Sequence, residues 1–341
     1  LIGVSATGWN NNPHILFNAE VQREGAEIVK ATNKLVAKLI GINAAARTTC
    51  CKPAGNASVL LKTASGVGGE HSPTYLRYVT FSRETEVAKT FLETNPSMCE
   101  PRVNSDTDIM VAFPCVSSEH SIYKKDIYGT IQMEQVMLTQ QNWIEYGTNV
   151  ELCTDVRLRH NVSNTITVDD WDAVARFAYD NRQWFCGLSF MGIYGEKEYA
   201  QAPFTTVYTE QQLLDMYGTG ALFASGMIVD ALHAFSENLW LACSTARGYG
   251  EHLDVNTNNA LKIDWVRRFD KFANNYFNGD KELTSHCLKD VHNLHKWERI
   301  QHSLVDIDWG KALTKQVEID IDVMGGAACS IDFATGQSTC K

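Results

Sequence analysis

The chain has 341 residues, 44% hydrophobic and 21% charged, with a formal net charge of −10 at pH 7. This is an ordinary globular composition for one large domain or two smaller ones. It argues against direct nucleic-acid binding, which needs clustered Lys and Arg, but leaves room for a local cationic pocket. No apolar run reaches the ~20 residues that span a bilayer, and no signal-peptide pattern opens the chain.

In chain order, Leu1–Ser5 already reads as a strand, so the sequence is expected to be a piece of something longer. A helix is predicted from Asn18, a good N-cap, to Ile40, with Gly41 as its stop; Val21, Ile28, Leu35, Val36 and Leu39 fall on one face. A β-type run, Thr48–Cys51, stops at Lys52-Pro53, crosses Ala54-Gly55-Asn56, and is predicted to restart as a strand over Ala57–Leu61. Pro53 can fix φ there, and the small residues after it let backbone N–H groups point outward, a geometry that cradles phosphate. Ser65–Gly69 reads as a flexible glycine loop, since it lacks the GxGxxG spacing of a dinucleotide site.

Further along, helices are predicted over Glu84–Glu93 and Gly129–Tyr146, and strands over Thr107–Val116 and Asn161–Val168. Asp169 is expected to cap a helix running to about Arg182, followed by a buried strand, Trp184–Phe190. The strand, helix, strand order implies an α/β fold with largely parallel strands. Thr209–Gln212 reads as a capping box opening a helical stretch from 210 to about 300. From Gln316 the chain returns to a β-type run, VEIDIDV, and ends in a small-residue tail.

Of the ten cysteines, those within apolar segments, such as Cys115 and Cys186, read as buried free thiols in a reducing, cytoplasmic setting. No metal-ligand spacing occurs: His292-x-x-His295 lacks the glutamate of a zinc protease and reads as a pair on a helix surface. Asp169, Asp170 and Asp172 read as first-turn acids facing the helix dipole. Cys329 and Cys340 sit on the flexible tail, where they are either a dithiol that exchanges disulfides or an incidental end.

Several segments together resemble the C-terminal half of adenosylcobalamin-dependent (class II) ribonucleotide reductases. They are RTTCCKPAGNASVLL with SGVGGEHSPTYLRYV, then ETNPSM, VAFPCVSSEHSIYKKD, RHNVSNTITVDDWDAV, YAQAPF, CLKDVHNLHKWERI and the cysteine tail. The resemblance implies the later part of a ten-stranded α/β barrel with helical additions. Residues 1–205 would belong to the barrel, 206–315 would be a helical continuation, and 316–341 a terminal strand and flexible cysteine-bearing tail.

It also implies roles. Pro53, Ala54, Gly55, Asn56, Ala57 and Ser58 match the loop that binds substrate phosphates, with Asn56 where the family has Thr. Asn161, Val162, Ser163 and Asn164 match a barrel strand near the radical site. Cys329 and Cys340 match the C-terminal redox pair, although ten residues separate them where the family has four. The cofactor implied is adenosylcobalamin. The partners implied are a ribonucleoside di- or triphosphate, thioredoxin or a similar dithiol, and the missing N-terminal half in the same or a separate chain. The radical cysteine's Asn-Pro-Cys-x-Glu loop has no counterpart here; Asn95-Pro96-Ser97-Met98-Cys99 is a different sequence. The activity implied is ribonucleotide reduction. The alternatives are a non-catalytic C-terminal subunit of a split reductase, or another radical barrel enzyme sharing only the phosphate loop.

Overall fold

Asn18 caps the long helix as its sequence predicts, its side-chain oxygen accepting from the N–H groups of Glu20 and Val21. Gly41 ends that helix at φ 73°, a left-handed conformation that glycine adopts without strain. The computed structural model describes residues 3–103, 105–155, 157–193, 201–234, 255–308, 310, 329–331 and 338–340. The chain divides into two units, Leu1–Tyr75 with Cys115–Tyr199, and Leu76–Pro114 with Ala200–Lys341.

The first unit contains β1 (Val4–Ser5), α1 (Pro13–Leu16), α2 (Ala19–Ile40), β2 (Thr49–Cys50) and α3 (Asn56–Leu61). The strand β3 (Thr74–Ser82) begins in it and continues into the second unit. β1 and β2 pair in parallel, Val4 beside Thr49, and an isolated parallel bridge joins Cys51 to Val162.

The second unit continues with α4 (Glu86–Thr94), β4 (Cys99–Pro101) and β5 (Asp108–Val116). The chain then returns to the first unit for α5 (Gly129–Thr139), which runs on into a π-helical turn, Gln140–Ile144. Next come β6 (Thr165–Val168), α6 (Trp171–Asp180) and β7 (Ser189–Gly192), with β6 and β7 parallel. Trp9, Met133, Trp143, Ile144, Val162, Ile166 and Val174 form this unit's core.

β2 is pinned against the end of the α5 segment. Thr49 donates its hydroxyl to Trp143 O at 2.6 Å, and Thr48 donates both N–H and hydroxyl to Gly147 O. A Cβ built at Gly147 would lie 1.9 Å from Thr49 Oγ1, so only glycine allows this approach.

The second unit completes its sheet, in the order β4-β5-β3-β8, with β8 (Phe204–Thr206). Its helices are α7 (Glu210–Tyr217), α8 (Thr219–Ala234), α9 (Val255–Phe277) and α10 (Lys281–Ser303). The capping box at Thr209 and Gln212 is formed as predicted. One core lies on the sheet around Leu76, Phe91, Ile109 and Val111; another fills the space among the helices around Ile228, Phe272 and Leu288. β9 (Cys329–Ile331) and β10 (Ser338–Cys340) form an antiparallel pair.

The expected ten-stranded barrel is corrected by these sheets. Among the described residues there are three two-stranded sheets and one four-stranded sheet, and none closes. β4 and β5 are antiparallel, so parallel pairing is confined to part of the fold.

Local corrections are equally specific. Ala57–Leu61 is helical: its alanine and two leucines are strong helix formers, and Ser58 folds its hydroxyl back onto Gly55 O at 2.7 Å, closing the first turn. Trp184 ends a 3-10 turn and only Ser189–Gly192 is strand, with Ser189 and Phe190 exposed. Asp170 caps α6 instead of Asp169. Cys186 is exposed, and His292 is buried inside α10's packed face instead of lying on its surface. The predicted strand VEIDIDV lies outside the described residues. No described helix is long and apolar enough to cross a membrane.

Candidate functional site

The loop Lys52–Gly55 leaves the carboxyl end of β2 and runs directly into α3. In open α/β sheets the crevice beyond the strands' carboxyl ends is where ligands bind, and a helix's first N–H groups lack intrahelical partners. A Cβ at Gly55 would meet no other atom within 4 Å, so this side of the loop is open. Ser58 is buried and spends its proton on Gly55 O, so it braces the turn while its oxygen keeps acceptor capacity.

Two other segments meet this loop. Gly66, at φ 58°, packs so closely that a Cβ there would lie 3.0 Å from Lys52 O. The glycine segment expected to be flexible is held in place. Asn10 Nδ2 donates to Val67 O at 2.9 Å, Gly66 N–H to Thr7 Oγ1 at 2.9 Å, and Trp9 N–H to Gly66 O at 3.2 Å. Glu70 follows, buried, with Asn11 Nδ2 donating to its carboxylate at 2.8 Å.

The second segment is Asn161–Asn164. Ser163 N–H donates to Cys51 O at 2.8 Å, and Asn164 Oδ1 lies 4.0 Å from the Cβ position of Gly68. Arg159, upstream, pairs with Glu145 at 2.8 Å, and His160 Nδ1 bonds to Thr49 O at 2.8 Å. Two of the three predicted site segments, Pro53–Ser58 and Asn161–Asn164, therefore lie together at one end of the first unit. The supporting residues Thr7, Asn10, Asn11 and His160 were missed in the sequence. The Gly8-Trp9-Asn10-Asn11 run was a usable signal, since a turn glycine followed by two buried amides invites cross-loop hydrogen bonds.

The adjacent thiols are unsuited to redox work. Burial is the largest influence on Cys50 and raises its pKa, against smaller opposing effects of Lys52 and the Ser5 hydroxyl. Cys51 is pushed up to about 12, again mainly by burial. Both stay protonated at neutral pH, and a thiol is a poor nucleophile. The tail cysteines differ: in the β9–β10 register Cys340 is the direct antiparallel partner of Cys329. Directly opposed residues have Cα atoms about 4.5–5.5 Å apart, within the disulfide range.

No side-chain cluster among the described residues marks a place for adenosylcobalamin. His160 is tied to β2, His292 is buried, and no group of three or more His, Cys, Asp or Glu converges among the described residues. No step is assigned to that cofactor in this chain.

No protein-family model matches the chain, and no curated protein does. Among solved structures, the chain has a partial fold similarity to a crystal structure of a B-12 dependent (class II) ribonucleotide reductase. The TM-score is 0.43 and the identity 15%, over 57% of this chain. The chain spans 26% of that protein's length.

Proposed function

We propose that this chain is a nucleotide-binding component of an adenosylcobalamin-dependent ribonucleotide reductase and lacks that enzyme's radical cysteine. It holds the phosphates of a ribonucleoside di- or triphosphate on Pro53–Ser58. Cys329 and Cys340 relay electrons from thioredoxin or a similar dithiol. The radical centre and the cofactor belong to the remaining half of the enzyme, in the same or a separate polypeptide. The observation that carries this reading is the junction at the end of β2, where a Pro-x-Gly loop open at Gly55 feeds a helix. Asn161–Asn164 beside it and the pairing of Cys329 with Cys340 support it further. So does the order of the motifs from RTTCCKPAGNASVLL to CLKDVHNLHKWERI.

Two measurements test the reading. Calorimetric titration of the chain with CDP and CTP should show binding that Gly55→Val removes and Arg157→Ala, at an exposed site elsewhere, preserves. No binding, or equal effects of the two changes, would refute the phosphate role. With adenosylcobalamin, nucleotide and dithiothreitol, the isolated chain should form no deoxynucleotide. Robust formation would place the radical centre in this chain after all.

A further inference from the structure

We propose that the outer face of α2 docks a second copy of this chain, the two α2 helices lying antiparallel. The helix is fixed to its own unit by Gln22, Ala26 and Ala37, which are buried, and by Gly25, whose Cβ position lies 3.2 Å from the Trp143 ring. Val21, Ile28, Leu35 and Leu39 recur at spacings of seven, seven and four, within a narrow arc at about 100° per residue. This is the apolar stripe that the sequence offers as a core face, yet it points away from the core. These side chains are 44%, 66%, 60% and 75% exposed, and Ile42 beyond the helix end is 56% exposed. Four large apolar side chains exposed along one side of a polar helix mark an interaction surface.

The charges beside the stripe identify the occupant. One flank carries Glu20 and Glu24 in the first half of the helix and Lys34 and Lys38 in the second. Among the described residues none of these four enters an ion pair, whereas Glu27 and Lys30 pair within the helix at 2.8 Å. In an antiparallel pair of copies, Glu20 faces Lys38 and Glu24 faces Lys34, both pairs being centred on Val29. A parallel pair would instead set this flank against the uncharged opposite one, with Thr32 and Val36, and leave the four charges without partners. Self-complementarity of this kind is what a two-fold interface requires and an unrelated partner does not. A single 22-residue helix on each side gives an interface at the small end of the specific range, so the dimer should be of micromolar strength.

Sedimentation velocity of the full chain over a micromolar concentration series tests this. The wild-type chain should dimerise, and Ile28→Glu with Leu35→Glu should weaken the dimer about 100-fold or more by placing charge in the apolar seam. Both positions are exposed, and an unchanged near-UV circular dichroism spectrum would verify that the fold survives. Glu20→Lys with Glu24→Lys, and separately Lys34→Glu with Lys38→Glu, should each weaken self-association about tenfold, while an equimolar mixture of the two variants restores it. A wild-type chain that stays monomeric would overturn the proposal. So would a dimer indifferent to the Glu substitutions, or one indifferent to charge reversal. A stripe that instead binds only a separate chain carrying the rest of a reductase would overturn it too.

Discussion

Lys296 on α10 pairs with the carboxylate of Glu100 on β4, both side chains almost wholly withdrawn from water. Burial alone would depress the ammonium's pKa, but Glu100, with Tyr78 adding to it, more than offsets this and raises it above its ordinary value. Gln201 Nε2 donates to the other carboxylate oxygen at 2.8 Å, so both oxygens of Glu100 are engaged. Lys296→Ala should cost about 3–5 kcal/mol, because it strands a buried carboxylate. Replacing both partners, Lys296→Met with Glu100→Gln, should recover most of that loss. Urea unfolding of the wild type, Lys296→Ala, Lys296→Met, Glu100→Gln and the double variant measures the coupling, and additive losses in the double variant would deny it.

His292, one turn before Lys296, is held down to about 3 from the ordinary 6.5 of a histidine, chiefly by burial and then by Lys296 and His295. The folded chain therefore refuses a proton that the unfolded chain accepts below pH 6.5. Its stability contribution is complete above that pH and should drain away as pH falls toward about 3. Urea midpoints compared between pH 7 and pH 4.5 should fall more steeply in the wild type than in His292→Gln. Parallel slopes would mean that the imidazole is not the group responsible.

Gly55 and Ser58 of the Pro53–Ser58 loop should differ in their effect on stability. Gly55→Ala adds a methyl group into open space and should leave stability unchanged while weakening nucleotide binding. Ser58→Ala removes the bond to Gly55 O and should cost about 1 kcal/mol, with binding weakened through the loosened turn. Thermal melts with and without CTP separate the two effects. A destabilised Gly55→Ala chain would show that the open side of the loop has a packing role.

Oxidation of the chain should join Cys329 to Cys340, detectable by peptide mapping under non-reducing conditions. In the complete enzyme, changing both to serine should abolish turnover driven by thioredoxin. Turnover with a small dithiol, which can enter the site directly, should largely survive. Undiminished thioredoxin-driven turnover would make the pair incidental.

What the sequence made legible was mostly local. Asn18 and Gly41 delimit α2 because caps are short-range chemistry, and Thr209 with Gln212 declares its helix for the same reason. The Ala57–Leu61 run reads as a strand only by continuation from Thr48–Cys51; its alanine and two leucines are strong helix formers, and the Ser58 bond to Gly55 O closes the first turn. The strand Thr74–Ser82 is absent from the sequence reading, although Thr74, Tyr75, Tyr78, Val79, Thr80 and Phe81 are all strand-favouring residues. The face of α2 was found correctly, but periodicity says which residues share a side and not what covers them. The site's two halves lie more than a hundred residues apart in the chain, and long-range contacts such as the Cys51–Val162 bridge and the Ser163 bond to Cys51 O bring them together.

Gly147 lies on neither the loop nor its neighbouring segments, yet it sets where both begin. Thr49 occupies the volume that any side chain at position 147 would claim, so alanine there must push β2 aside. β2 ends at Cys50, and only Cys51 and Lys52 separate it from Pro53, so the displacement would reach the turn. The end of a helix thus acts as a fixed stop for the loop's position, and a change far from any nucleotide would register as altered affinity.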